Sequence, residues 1–346
     1  MRIFAAAALS LAISLACGAR AQDSSLPDIG SSAAEMIDPA TEAEYGAYLR
    51  YELRRLNMLV EDPLVDDWLQ SMGFRLAAAS DVPMNEYTFF MMRDRQINAF
   101  ATLGGYIGMN AGLVLTADTE DEVAGVMAHE IAHVTQRHVL RAYERASKDQ
   151  VPIMLAMLGA IAAAQAVGDS GGNDNSSGNA SMAAVAGAMA LIQQRQIDYT
   201  RSNESEADRI GIQTLARAGY DPNGMADFFE RMQRVNRGNS GGYQLPEYLR
   251  THPVTTTRIS ETRQRAEQLS RSAPLAAAPS VGGGSLLLPG RYSLGPATPD
   301  TGSETFAWAR ERLRVLSATN AAAAVREYEA LERAPGVRPD DARRYG

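Results

Sequence analysis

This 346-residue chain is short of lysine, cysteine and histidine, and each shortage excludes something. Lys148 is its one lysine among 33 basic residues, and 41 acidic residues leave a net charge of −8. A phosphate backbone selects basic faces, so nucleic acid is excluded as the main partner. Cys17 is the single cysteine, which rules out a disulfide framework within the chain. Comfortable bilayer spans need about 20 apolar residues, and the longest apolar runs here, 3–16 and 151–167, fall short. What remains is ample for folding. The hydrophobic fraction is 45%, enough for a sizeable core, and the length suggests two domains. Histidine numbers four, yet His129, His133 and His138 crowd into twelve residues, "MAHEIAHVTQRH" (127–138).

The N-terminal stretch "MRIFAAAALSLAISLACGARAQ" reads as a cleavable secretory signal over 1–21. Arg2 supplies the positive end, Ile3 to Ala16 the apolar stretch, and Ala19-Arg20-Ala21 the small-residue cleavage site. Lipidation at Cys17 is the alternative, weakened by Ser14 where such signals carry an apolar residue. Residues 22–44 read as a flexible leader and 45–269 as the main domain. Within it, Leu64, Val65, Trp68, Leu69, Met72 and Leu76 recur at helical spacing behind Pro63. "EYTFFMMR" (86–93) predicts a strand, and "INAFATLGGYIGMN" (97–110) a hairpin turning at Gly104-Gly105. Thr119 and Glu122 form a capping box, with Glu122 reaching back to Thr119, that opens the histidine-bearing helix. The run 151–167 reads as a buried or lid helix in preference to a membrane span. The glycine- and serine-rich stretch 168–181 predicts a disordered surface loop, with helix resuming near Met182 and ending at Gly219 and Pro222. Residues 270–303 are a Pro/Gly/Ser-rich linker. The strongly helical 304–346 resembles one tetratricopeptide-like hairpin and the opening of another, an incomplete array. An ordinary terminal helix pair packed on the main domain is the alternative.

His129 and His133 are four residues apart, so on a helix their rings stand about 40° apart on one face. Two neutral imidazoles so placed suit one zinc ion, and Glu130 beside them can take a proton from the attacking water. This is the H-E-x-x-H zinc hydrolase pattern. His138 lacks the spacing of a third histidine ligand: a metzincin needs Gly at 136 and His at 139, where this chain has Gln136 and Val139. A catalytic zinc needs a third protein ligand and an open position. Either His252 or a carboxylate on another helix could supply it. "NESEADRIG" (203–211) offers Glu204 and Asp208 on one helical face, with Glu206 pointing elsewhere, although such acids also occur as plain surface charges.

Four segments together, "NAFATLGGYIGMNAGLV", "DEVAGVMAHEIAHVTQRH", "NESEADRIG" and "THPVTTTRI", resemble the zinc metallopeptidase family of CAAX prenyl protease and HtpX, and most closely its periplasmic BepA type. The resemblance covers residues 45–267. It implies an α+β, mainly helical, zincin-like (gluzincin) domain with a small sheet, and one zinc ion per chain held by His129, His133 and Glu204. Glu130 is then the general base, and Asp208 a proton donor or, on physical grounds, the orienter of a ligand histidine. It further implies a periplasmic endopeptidase acting on unfolded or misassembled outer-membrane proteins, with an edge strand within 97–109 aligning the substrate. The helical repeats would meet the outer-membrane assembly machinery. A non-proteolytic chaperone or scaffold is the rival reading; the intact His129, Glu130, His133 and Glu204 speak against it. His252, extended before Pro253, is either a surface histidine, a plug in the open zinc position, or a donor to the oxyanion. Arg258 either anchors that loop, binds substrate backbone, or is solvated.

Overall fold

A computed structural model describes residues 37–83, 86–146, 148, 159, 174–238, 246–272 and 304–334. The signal segment, the run 151–167 apart from Gly159, and the linker from 273 to 303 lie outside the described residues. Helix α1 (Pro39–Arg55) begins inside the stretch expected as leader. Asp38 starts it, its carboxylate accepting from the N–H groups of Ala40 and Thr41 at 3.0 Å with proline in the first turn. After β1 (Leu59–Val60), helix α2 (Pro63–Ala78) is capped in the same way by Asp62. Its Val65, Trp68, Leu69, Met72 and Leu76 are buried, the stripe its helical spacing requires.

Strands β2 (Thr88–Met92), β3 (Ala99–Ala101) and β4 (Tyr106–Asn110) join β1 in the order β1-β2-β4-β3. The β3–β4 hairpin turns through Leu103–Gly105, where Gly104 and Gly105 take φ of 70° and 75°. A side chain on Gly105 would also strike the Glu86 carbonyl, so glycine is required twice over there. The sheet is mixed, since β2 pairs parallel with β4 while β1–β2 and β3–β4 are antiparallel. Strand β3 is an edge.

Helix α3 (Ala111–Thr116) leads to α4 (Glu120–Thr135), the histidine helix, buried along most of its length. Thr119 caps α4 by accepting from Glu122 N, but the expected reciprocal half differs. The Glu122 carboxylate reaches to Asp118 N instead and is held by Arg231, whose fork binds both its oxygens. Helix α5 (Asp174–Arg217) starts earlier than the expected Met182, taking up the second half of the stretch expected as a loop. The alanines that follow explain it, because adding turns to an alanine-rich helix costs far less than nucleating one. It ends at Gly219, φ 79°, as the sequence indicates.

Further helices are α6 (Asn223–Gly238), α7 (Glu247–Thr251), α8 (Thr256–Ser272), α9 (Glu304–Leu316) and α10 (Ala321–Glu332). Helix α4 lies against α5, α6 and α2, and α8 closes over α5 and α6. Helix α9 packs on α2, adding Phe306, Ala309 and Leu313 to the same core as Trp68 and the sheet. None of the described helices is long and apolar enough to cross a membrane.

Candidate metal centre

Helix α4 places His129 and His133 on the side facing α5, and close packing of the two helices lets α5 answer. Gly211 makes that approach possible: a side chain there would stand 3.0 Å from the His129 backbone nitrogen. Glu204, two turns earlier on α5, then meets both rings. Its Oε2 lies 3.4 Å from His129 Nε2 and its Oε1 3.4 Å from His133 Nε2, while the two Nε2 atoms are 3.0 Å apart. His252, at the end of α7, enters from a different part of the chain. Its Nδ1 is 3.3 Å from His129 Nε2 and 3.1 Å from Glu204 Oε2. One ligand atom from each of the four lies within 4.8 Å of the others.

Atoms bound at about 2 Å around a tetrahedral ion stand roughly 3.3 Å apart, so this donor set fits a zinc-sized cation in chemistry and spacing. Glu130 adds an independent sign. It is 1% exposed, and its Oε1 has no hydrogen-bond partner, with His252 Nε2 the nearest cation-capable group at 3.7 Å. A buried carboxylate oxygen left unpaired is costly. His129 Nδ1 and the Tyr248 hydroxyl also lack a hydrogen bond, but of the three only Glu130 is a carboxylate able to take a proton from water.

Around this centre runs an outer ring. His129 Nδ1 lies 3.0 Å from Asp208 Oδ1. Arg258 donates to both Asp208 oxygens at 2.7 and 2.8 Å and to the Pro253 carbonyl at 2.9 Å, and its Nη1 forms an ion pair with Glu204 Oε2 at 2.9 Å. Its guanidinium also sits 4.8 Å over the Phe229 ring. Arg258 is therefore buried, not solvated, and its contacts tie the His252 loop to α5. Burial works against charge at all these groups, and their pairing overcomes it. Burial would raise the Asp208 carboxyl, but Arg258 and then His129 hold it below its ordinary range. Glu204, likewise opposed by burial, is held well below that range by the histidines around it. Burial alone would lower His129, yet Asp208 and Glu204 carry it up to about 10. His133, with less help, is pushed down by burial.

Three groups here escaped sequence reasoning. Tyr248 stacks on the His252 ring at 4.8 Å and fixes its plane. His138 and Glu206, set aside on spacing, meet each other and His133 beside the centre. Tyr248 stands four residues before His252, a helical spacing legible in the sequence, whereas the meeting of His138 with Glu206 depends on where a second element lies.

Beside His133 an open groove of about 430 Å³ runs between the β3–β4 turn, α1 and the end of α4. Ala101 and Thr102, at the end of the edge strand, line it together with Glu42 and Arg137.

The profile of peptidase family M48 matches residues 63–266. The beta-barrel assembly-enhancing protease of Escherichia coli (strain K12) is 38% identical over 244 residues, 70% of this chain and 47% of that protein. A Vibrio cholerae protein named after it is 43% identical over 244 residues, covering 70% of this chain and 48% of its own length. The mitochondrial metalloendopeptidase OMA1 of Arabidopsis thaliana is 29% identical over 198 residues, 56% of this chain and 35% of that protein. The match spans about half the length of the bacterial relatives.

Proposed function

The chain belongs to peptidase family M48, and from that premise we propose that it is a zinc-dependent endopeptidase whose ligands are His129, His133 and Glu204. The observation that carries the reading is the convergence of these three beside a buried Glu130 carboxylate whose Oε1 makes no hydrogen bond. A zinc ion so held would supply Lewis acidity to the scissile carbonyl. Glu130 takes a proton from the attacking water and delivers it to the leaving amine as the C–N bond breaks. Asp208, kept ionised by Arg258, stands 3.0 Å from His129 Nδ1 as its ion-pair partner and orients that ring; a carboxylate so paired is a poor proton donor. His252, whose Nδ1 stands 3.3 Å from His129 Nε2 and 3.1 Å from Glu204 Oε2, would be a fourth ligand to such an ion and would have to give way for substrate to enter.

The substrate is an extended polypeptide. It adds along the edge of β3 and lies in the adjoining groove past His133, where main-chain pairing selects for unfolded segments over particular side chains. The relatives' names point to β-barrel assembly. Unfolded or misassembled outer-membrane proteins in the periplasm, reached through the N-terminal signal, are the corresponding substrates. The C-terminal helices would be the side turned to the assembly machinery.

The test is metal analysis of the purified protein alongside casein digestion. Wild type should hold one zinc per chain and digest casein. Glu130→Gln should keep the zinc and lose digestion by a factor of about 10² or more, and Glu204→Ala should lose both. Digestion by Glu130→Gln at the wild-type rate would sink the assignment.

A further inference from the structure

Helix α4 ends at Thr135, and helix resumes at His138 after a two-residue turn. Between them Arg137 takes a left-handed conformation, φ 53°, while the Gln136 and Arg137 N–H groups close the turn onto Ala132 and Val134. Such a conformation costs an arginine energy that glycine would not incur. Its pairing with Glu42 of α1 helps to hold it. The break has a consequence for His138. On an unbroken helix, residues five apart lie about 140° apart around the axis, and their rings cannot meet. Here the step at Arg137 swings His138 back until its Nδ1 stands 2.8 Å from His133 Nδ1, with the rings edge to face at 76°. On its far side His138 Nε2 lies 3.1 Å from Glu206 Oε2, which also accepts from Arg141 Nη1 at 3.1 Å.

The protons in this chain have one self-consistent arrangement. His133 Nε2 faces the ligand cluster, so a neutral, ligating His133 carries its hydrogen on Nδ1. That hydrogen is donated to His138 Nδ1. His138 then carries its own hydrogen on Nε2 and donates it to the Glu206 carboxylate. No ring nitrogen in the chain is left over.

We propose that His138 and Glu206 are positioning residues for the metal site, fixing the tautomer and plane of the His133 ring through the left-handed turn at Arg137. The inference rests on the metallopeptidase reading and adds a second support to it. His129 leans on a carboxylate, Asp208; His133 leans on a neutral histidine that is itself held by one. Ligands supported in this way typically lose 10–100-fold in metal affinity or activity when the support is removed.

The experiment uses the whole purified protein and reads zinc affinity by competition with a chromophoric chelator, together with kcat and KM on casein. His138→Leu should weaken zinc binding about 10–100-fold and lower kcat while KM holds. His138→Asn, whose amide oxygen can take the place of Nδ1, should recover most of the loss. Glu206→Gln, which keeps an acceptor for His138, should fall between. Wild-type zinc affinity and kcat in His138→Leu overturn the proposal. A reading that needs no variant is nitrogen NMR of the zinc-loaded wild type. His138 should appear as the Nε2–H tautomer and His133 as Nδ1–H; the opposite tautomer at His138 overturns it too. If wild type binds no zinc, the peptidase reading itself fails; zinc in wild type with an indifferent His138→Leu removes this inference alone.

Discussion

At the scale of single residues, the centre is a set of buried charges that survive because each has a partner. Arg258 shows why. It is 8% exposed, yet its fork donates to Asp208 twice and to the Pro253 carbonyl once and pairs with Glu204, so its buried charge is answered by two carboxylates. A lysine could not span those acceptors, being a point charge without the planar fork. His252 sits in the same web but with less commitment. Its ring is stacked on Tyr248 and shares Glu204 with His129, His133 and Arg258. His252→Ala should therefore leave one zinc bound through the remaining three ligands and raise casein cleavage several-fold, because the fourth position no longer needs clearing. Stopped assays on casein and metal analysis of the variant check it. A fall in kcat with zinc retained would make His252 an oxyanion donor instead.

At the scale of elements, Asp62 joins two of them. Its carboxylate caps α2 through Leu64 and Val65 and also receives the Arg312 guanidinium from α9. Losing an N-cap of this kind costs about 1 kcal/mol. Arg312 is the main cause holding the Asp62 carboxyl below its ordinary 3.8, with burial opposing and the cap bonds assisting. The sign follows. A carboxyl lowered on folding contributes fully above its unfolded value, and the contribution disappears as pH falls through the lower folded value. Asp62→Asn, which keeps an acceptor for the cap, should flatten the loss of stability below pH 4 without removing the helix start. Urea midpoints measured from pH 6 down to pH 3 check this; parallel curves for variant and wild type would show that Arg312 does not hold Asp62 in solution. The helical pair was legible as helices from its pattern. Its attachment was not, because Asp62 and Arg312 are 250 positions apart.

At the scale of the whole molecule, the C-terminal helices share the core of the main domain. Phe306 is 4% exposed and its ring lies 5.7 Å from that of Trp68. Arg93 donates to the Leu316 carbonyl at 2.7 Å, and Arg95 to the Arg314 carbonyl at 2.6 Å and Ser317 Oγ at 2.9 Å. These contacts dock the described helix pair on the main domain. Phe306→Ala should cost about 3–5 kcal/mol, the usual result of emptying a buried aromatic site. One continuous core also unfolds as one. Circular dichroism and zinc release should therefore share a single urea midpoint, in wild type and, lower, in the variant. Two separated transitions would mean that the helix pair folds apart from the metal centre.

Sequence alone determined what is periodic and local. The spacing of His129 and His133 puts two rings on one face of any helix they occupy, Gly104-Gly105 forces the hairpin turn, and Gly219 stops α5. These follow from backbone geometry within a few residues, whatever the rest of the chain does. Tertiary structure decided the rest. His252 reaches His129 across 123 positions because distant segments hold α7, Tyr248 donating its N–H to the Ile97 carbonyl and setting its ring edge to face against Phe228 of α6. Glu204 and Asp208 face the histidines, and not solvent, because Gly211 lets α5 lie close on α4. His138, on the wrong face of an ideal helix, reaches His133 because one arginine turns left-handed under the hold of another helix. A contact between distant elements depends on how every element between them packs, and no residue pattern read along the chain contains that sum.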